Sequence, residues 1–363
     1  LPNYNAISYL EGPARLAKGS VAINGRFVKA GKVIIATGAS PSLPPIPGVE
    51  RVPYLTSTTA LDLERLPNSL LVIGGGYIGC ELGQMFARAG VDVTIVDIVP
   101  ILSVGEPEIS KALAGYLREE GVVVHENVRT KAIRKTEHGI ALDISTDAMD
   151  ETLEAEQVLI TTGRRPNTEG LGLAEAGVGL LPNGGIKVDD RMRTSRPGTY
   201  AAGDVTGRDQ FVYMAAYGAK IAAKNALNGN GLHYDRAAMP AVVFTDPQVA
   251  SVGLTEAEAR DAGHAVAMSV LSLDNVPRAL AARDTRGLIK LVADAGSRKL
   301  LGAHILAPEG ADSIQTAAMA IKAGMTVEQL GETIFPYLTT VEGLKLAALS
   351  FSKDVAKLSC CAG

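Results

Sequence analysis

Cysteine is the scarcest chemistry in this sequence. Three thiols in 363 residues cannot build a disulfide framework, which fits a reducing compartment and makes the cytoplasm the expected location. An excess of either charge is also missing: 35 basic against 39 acidic side chains leave −4, with no Lys/Arg-rich tract. A nucleic-acid or anionic-membrane partner therefore has no electrostatic footprint. Long hydrophobic runs are absent as well. A stretch such as SLLVIGGGYIG (69–79) is too short to span a bilayer and is broken by glycines. The opening LPNYNAISYLEG has neither the basic nor the apolar region of a signal peptide. It begins with Leu1 rather than Met, so a fragment of a longer chain is expected.

What is present is organised as two or three domains, as the length allows. Strand-like runs alternate with helical stretches through about residue 205, the pattern of a parallel sheet covered by helices. LPPIPG (43–48) reads as a connector between domains. From about residue 236 the texture changes. AVVFTDPQVASVGL (241–254) and HAVAMSVLSL (264–273) alternate as half-buried strands do, and GLIKLVADAGSRKLLGAHIL (287–306) reads as a hairpin around Gly-Ser. Thr255 with Glu258, and Thr326 with Gln329, have capping-box spacing. This last third is expected to be a separate α+β domain.

GGGYIG supplies the first chemistry. Gly74, Gly76 and Gly79 have the Gly-x-Gly-x-x-Gly spacing, with a strand before, a helix after, and Asp97 ending the next strand. That context is the one a dinucleotide turn requires, with backbone N–H groups and the helix dipole meeting a pyrophosphate. A carboxylate at 97 accepts from a ribose 2′-OH and repels a 2′-phosphate, so the residues by themselves point to NADH.

TSRPGTYAAGDV (194–205), the paired turns ATG (36–38) and TTG (161–163), and PAVVFTDPQVASVG (240–253) together resemble the flavoprotein pyridine nucleotide-disulfide oxidoreductases. FPYLTTVEGLKLAA (335–348) and the terminal LSCCAG narrow the likeness to the Hg(II)-reducing members. The resemblance covers essentially the whole chain. It implies two Rossmann-like dinucleotide-binding domains, the FAD one incomplete at its N-terminus, plus a C-terminal α+β dimerisation domain. Residues 1–68 would be the first FAD-domain segment and 69–190 the NAD(P)-binding domain. Residues 191–235 would be the second FAD segment, and 236–363 the dimerisation domain of a homodimer.

The resemblance further implies FAD, with Asp204 on its ribityl chain beside Gly203, and Thr37, Gly38 and Gly163 nearby. Tyr77 would cover the flavin where nicotinamide enters, and Glu81 would stand beside the stacked rings. It points to NADPH, against the NADH that Asp97 favours. Reductases of organic disulfides carry a His–Glu pair near 337–342; here Tyr337 stands at the His position and Glu342 remains. No imidazole is then placed to protonate a leaving thiolate, whereas a metal passing between thiolates needs none. The resemblance makes Tyr337 a contact of the Hg(II) substrate.

The adjacent pair Cys360 and Cys361 has its Cα atoms about 3.8 Å apart, short of the roughly 4.4–6.8 Å of ordinary disulfides. Two soft thiolates suit capture of a soft metal. Cys80, within the helix after the glycine turn, reads as packing.

Neither a first glycine fingerprint nor a Cys-x-x-x-x-Cys pair precedes Cys80, although the resemblance implies both. The function the resemblance implies is reduction of Hg(II) by hydride passed from NAD(P)H through FAD. The alternatives are a non-catalytic dimer holding nicotinamide and Hg(II), or a related flavin-dependent oxidoreductase.

Overall fold

The computed structural model describes residues 6–146 and 149–354. The chain divides into two compact units, 1–42 with 164–235 and 43–163 with 236–363. The first cut falls immediately before the proline-rich connector, and residues 164–190 group with the first unit.

In the first unit, Ala14–Ala17, Ser20–Ile23 and Arg26–Lys29 form an antiparallel meander. Val33–Ile35 pairs parallel with Thr199–Ala201, and Ala39–Pro41 pairs antiparallel with Arg164–Pro166. The helix Val212–Asn228 buries Met214, Gly218, Ile221, Ala222 and Asn225, a helical spacing, and Gly229 ends it in the left-handed conformation. Ile35, Ile186, Ala201, Val205 and Ala222 lie in the core this helix closes.

The second unit contains a parallel sheet. We label its strands β1 (Ser69–Ile73), β2 (Asp92–Val96), β3 (Val123–His125) and β4 (Gln157–Ile160), in the order β4-β1-β2-β3. Helices α1 (Tyr77–Arg88) and α2 (Pro107–Glu119) supply the crossovers. β1 is buried on both faces, Leu70 to Ile73 without a break, which is why it reads as a continuous apolar run.

The expected strand–helix alternation does not continue to residue 205. Arg129–Lys135, Ile140–Ser145 and Asp150–Ala155 form an antiparallel meander between β3 and β4. The large apolar residues of the middle strand recur every second position, and Ile140, Leu142 and Ile144 pack with Ile73, Val96 and Ile160. That period fits a sheet and gives a helix no apolar stripe.

The C-terminal part is a five-stranded antiparallel sheet, as its texture implies. β5 (Pro240–Val243), β6 (Gln248–Gly253), β7 (Val266–Ser272), β8 (Leu288–Asp294) and β9 (Leu300–Ala307) lie in the order β5-β6-β9-β8-β7. Run 241–254 is thus a hairpin, turning at Phe244–Pro247. Both capping boxes form. The sheet is packed by α3 (Gly310–Ala323) and α4 (Glu342–Leu349).

Two polar junctions join the parallel-sheet module to this sheet. At the first, Lys290 on β8 is 1% exposed and donates to Glu106, Glu108 and Glu256 at 2.8–2.9 Å. Burial opposes its charge, but the three carboxylates hold its pKa above the ordinary lysine value. At the second, Glu81, Gln84 and Arg88 on one face of α1 meet the Phe244–Asp246 turn. No helix among the described residues is long and apolar enough to cross a membrane.

Candidate functional site

The glycine turn sits where β1 passes into α1. Gly74 has φ +108°, and a side chain there would strike Thr161 O at 2.7 Å. A Cβ on Gly79 would lie 1.9 Å from Gly74 O, so only glycine lets the helix approach the turn. Gly76 differs: it caps α1, and a Cβ there would meet nothing within 4 Å. Open space at the head of a twelve-residue helix is the geometry that receives a pyrophosphate.

The peptide between these glycines is tied inward. Gly75 N–H donates to Asp97 Oδ2 at 2.6 Å, and Gly75 O accepts from Leu102 N–H at 2.9 Å and from the Cys80 thiol at 3.3 Å. Val99 N–H donates to Asp97 Oδ1 at 3.2 Å. Asp97 is thus fixed against the turn by one backbone bond to each oxygen, and each oxygen keeps a lone pair for a ribose hydroxyl. Burial, with the charges of Asp97, Glu81 and Glu126, pushes the Cys80 thiol far up. A thiol so held is inert, matching its reading as packing.

Thr161, just after β4, opens the TTG turn, and its bonding role was not visible in the sequence. Its hydroxyl lies 3.0 Å from Ile73 O and 2.7 Å from Gly74 O, stitching the turn to the neighbouring strand. Gly163 follows at φ +101° with open space beside it.

Tyr77 and Glu81 lie on the first turns of α1, both half-buried. Burial raises the Tyr77 phenol pKa. Burial also raises that of Glu81, against the pull of Phe244 N–H, which donates to Glu81 Oε1 at 2.7 Å. The sequence offered no sign of that backbone partner.

Tyr337 stands in the loop before α4 and is 57% exposed. Glu342 is 8% exposed and accepts from Leu338 N–H at 3.2 Å, while Leu338 holds φ +65°, a conformation that a leucine rarely adopts. Thr340 donates to Glu309 at 3.0 Å, fixing the other side of the loop. Cys360 and Cys361 lie outside the described residues.

The first unit gathers Thr37, Gly38, Gly203 and Asp204. Asn167 organises the Thr37 side: it donates from Nδ2 to Thr37 O at 2.9 Å and from its N–H to Gly38 O at 2.9 Å, and accepts from Thr37 Oγ1 at 2.7 Å. Gly38 leaves open space. Gly203 opens the short helix Asp204–Thr206, and Arg164 lies 3.8 Å from the Asp204 carboxylate while donating to Ala39 O. Asn167 and Arg164 were not singled out from the sequence; the RRPN following the TTG turn was the available signal.

Two family models match. One, described as pyridine nucleotide-disulphide oxidoreductase, spans residues 3–223, and that family's dimerisation domain spans 239–348. The chain is similar to the mercuric reductase of Streptomyces lividans, 48% identical over 360 residues, covering 98% of this chain and 76% of that protein. It is 46% identical over 365 residues to the mercuric reductase of Lysinibacillus sphaericus, covering 100% of this chain and 67% of that one. It spans 55% of the length of the corresponding Bacillus cereus protein. The solved Cu(II) complex of an HOCl-induced flavoprotein disulfide reductase from Escherichia coli matches with a TM-score of 0.84 at 31% identity, covering 94% of this chain and 78% of that one.

Proposed function

The chain belongs to the pyridine nucleotide-disulphide oxidoreductase family, a family of NAD(P)H-dependent flavoproteins, and on that premise we propose that it serves the reduction of Hg(II) to Hg(0). In the net reaction a hydride leaves NAD(P)H as two electrons and a proton; both electrons reduce the metal, and the proton goes to solvent. FAD, when bound, supplies the redox centre between the two. The residues present fit both cofactors: open space at Gly76 on the helix head, open space at Gly38, and a carboxylate at Asp204 following the Gly203 turn.

The observation that carries the choice of substrate is the loop before α4. Glu342 spends its carboxylate on Leu338 N–H, and Tyr337 stands exposed at the position where a base would be needed. A phenol is a poorer proton shuttle near neutral pH than an imidazole, so this loop lacks the acid–base group suited to a leaving organic thiolate. Ligand exchange of a metal between thiolates requires none. In the same reading Cys360 and Cys361 collect Hg(II) as a two-coordinate thiolate complex and present it towards Tyr337, in a homodimer built on the C-terminal domain. Gly74, Gly76 and Gly79 hold the dinucleotide, with Tyr77 and Glu81 at its nicotinamide end. Thr37, Gly38, Gly163, Gly203 and Asp204 serve FAD. Asp97 makes NADH at least as good a donor as NADPH.

The test is oxidation of NADH and of NADPH by the 363-residue chain with added FAD, before and after Hg(II) in excess small thiol. Hg(II)-dependent oxidation that is lost in the Cys360→Ala/Cys361→Ala variant is the expected result. Hg(II) affinity unchanged in that variant removes the tail from the mechanism. A hundredfold preference for NADPH overturns the role given to Asp97.

A further inference from the structure

We propose that Gln84 is a positioning residue for Glu81, acting through the backbone of the β5–β6 turn. This rests on Glu81 standing at the nicotinamide end of the site, as proposed above.

Gln84 lies one helical turn beyond Glu81 on the same face of α1 and is almost fully buried, at 3% exposure. Its side-chain amide pairs with the main chain of one residue in both directions: Oε1 accepts from Asp246 N–H at 2.8 Å, and Nε2 donates to Asp246 O at 2.8 Å, while Nε2 also lies 3.2 Å from both Glu120 carboxylate oxygens. A side-chain amide bonded in this way copies a strand-to-strand contact and fixes the height and the register of the segment it holds. Two residues earlier in that segment, Phe244 N–H donates to Glu81 Oε1 at 2.7 Å. Thr245, buried between them, closes the turn by donating to Pro247 O at 2.9 Å.

The geometry therefore runs from Gln84 to the turn and back to Glu81. Arg88 also reaches Asp246, through Nη1 to Oδ2 at 2.8 Å, but it does so from the exposed rim. Of the three polar residues on this face, only Gln84 is buried and only Gln84 holds the main chain from both sides. Without that pair the Phe244 N–H loses its fixed position, and the Glu81 carboxylate loses the single donor that offsets its burial. The bond is also a constraint on side-chain direction, since a carboxylate anchored through one oxygen keeps the other in a fixed place. Small displacements of a group beside a reacting ring are costly in rate.

Gln84→Met keeps the buried volume and removes the pair to Asp246 together with the longer contacts to the Glu120 carboxylate, and Gln84→Asn retains the amide one methylene short. The first measurement needs no cofactor: the carboxyl of Glu81 is titrated by ¹³C NMR, its signal assigned by its loss in Glu81→Gln. The Glu81 titration is expected to move to higher pH in Gln84→Met, and less far in the same direction in Gln84→Asn. The second follows reduction of added FAD by NADH in stopped flow. There Gln84→Met should be slower by about tenfold, with nicotinamide affinity held within about threefold.

A folded Gln84→Met, or Gln84→Asn if the first does not fold, that titrates as the parent does at Glu81 overturns the proposal. The two failures are separable. If Glu81→Gln leaves flavin reduction unchanged, Glu81 is not beside the nicotinamide and the underlying reading falls. If Glu81→Gln slows it and the Gln84 variants do not, only the positioning role falls.

Discussion

The two polar junctions of the second unit join the same two modules by opposite means. Around Lys290 one ammonium and three carboxylates come together out of water, with Lys290 1% and Glu106 2% exposed. Around Asp246 the charges are Arg88, Arg286 and Glu120, with Arg88 43% exposed, and the buried member is a neutral amide, Gln84. Buried charge is costly when a partner is missing, whereas exposed pairs gain little because water competes for them. The first junction is therefore a lock on how the modules dock. The second is a cheap frame around a neutral pair that touches the candidate site.

The largest effect should come from Lys290→Ala, which strands Glu106 without a cation. A loss of about 3–5 kcal/mol is expected in urea unfolding, the range for breaking a buried pair from one side. Flavin reduction by any protein that remains folded should be little changed. A loss below about 1 kcal/mol would erase the contrast between the junctions.

Next is the acid response, where both variants should close on the parent as pH falls, each for its own reason. With Lys290→Met, Glu106 is left as a buried charge without its cation. The penalty is therefore largest at neutral pH and shrinks as acid neutralises that charge. Glu120 acts through the parent instead. Hydrogen bonds from Arg88 hold its carboxyl below the ordinary value, so its contribution is complete above about 4.3 and is lost as pH falls through the depressed folded pKa. Urea midpoints measured from pH 3 to 7 should show Lys290→Met gaining on the parent in acid and Arg88→Ala converging with it from below.

The smallest effect is Arg88→Ala at neutral pH, about 0.5 kcal/mol after allowing for its exposure. It should vanish in 1 M salt, where the Debye length is about 3 Å, while the Lys290→Ala penalty persists. A salt-insensitive Arg88 effect would mean that the guanidinium contributes packing over Gln84 rather than charge.

What was legible in the sequence follows distance along the chain. The glycine turn was readable because β1, the turn, α1 and Asp97 fall within about thirty residues, where strand and helix periods dictate the fold directly. The capping boxes were readable at three-residue spacing, and both formed. The meander at 129–155 was misread as part of a strand–helix alternation, although the period-two spacing of Ile140, Leu142 and Ile144 was there to be counted. Asn167 was invisible because its partners Thr37 and Gly38 are about 130 residues away. The backbone donor to Glu81 is 163 residues away and carries no side-chain signature at all.

The sequence by itself determined the dinucleotide turn, the antiparallel texture beyond residue 236, and the absence of an imidazole at 335–342. Each depends on residue type and short-range spacing, which the chain carries wherever it is placed. Only the tertiary structure decided that Asp97 is tied back to Gly75, that Lys290 is a buried cation rather than the polar face of a strand, and that Gln84 and Glu81 share one turn of backbone as their partner. Those outcomes depend on which distant main-chain groups are left needing a partner once the sheets have packed, and burial makes satisfying them obligatory.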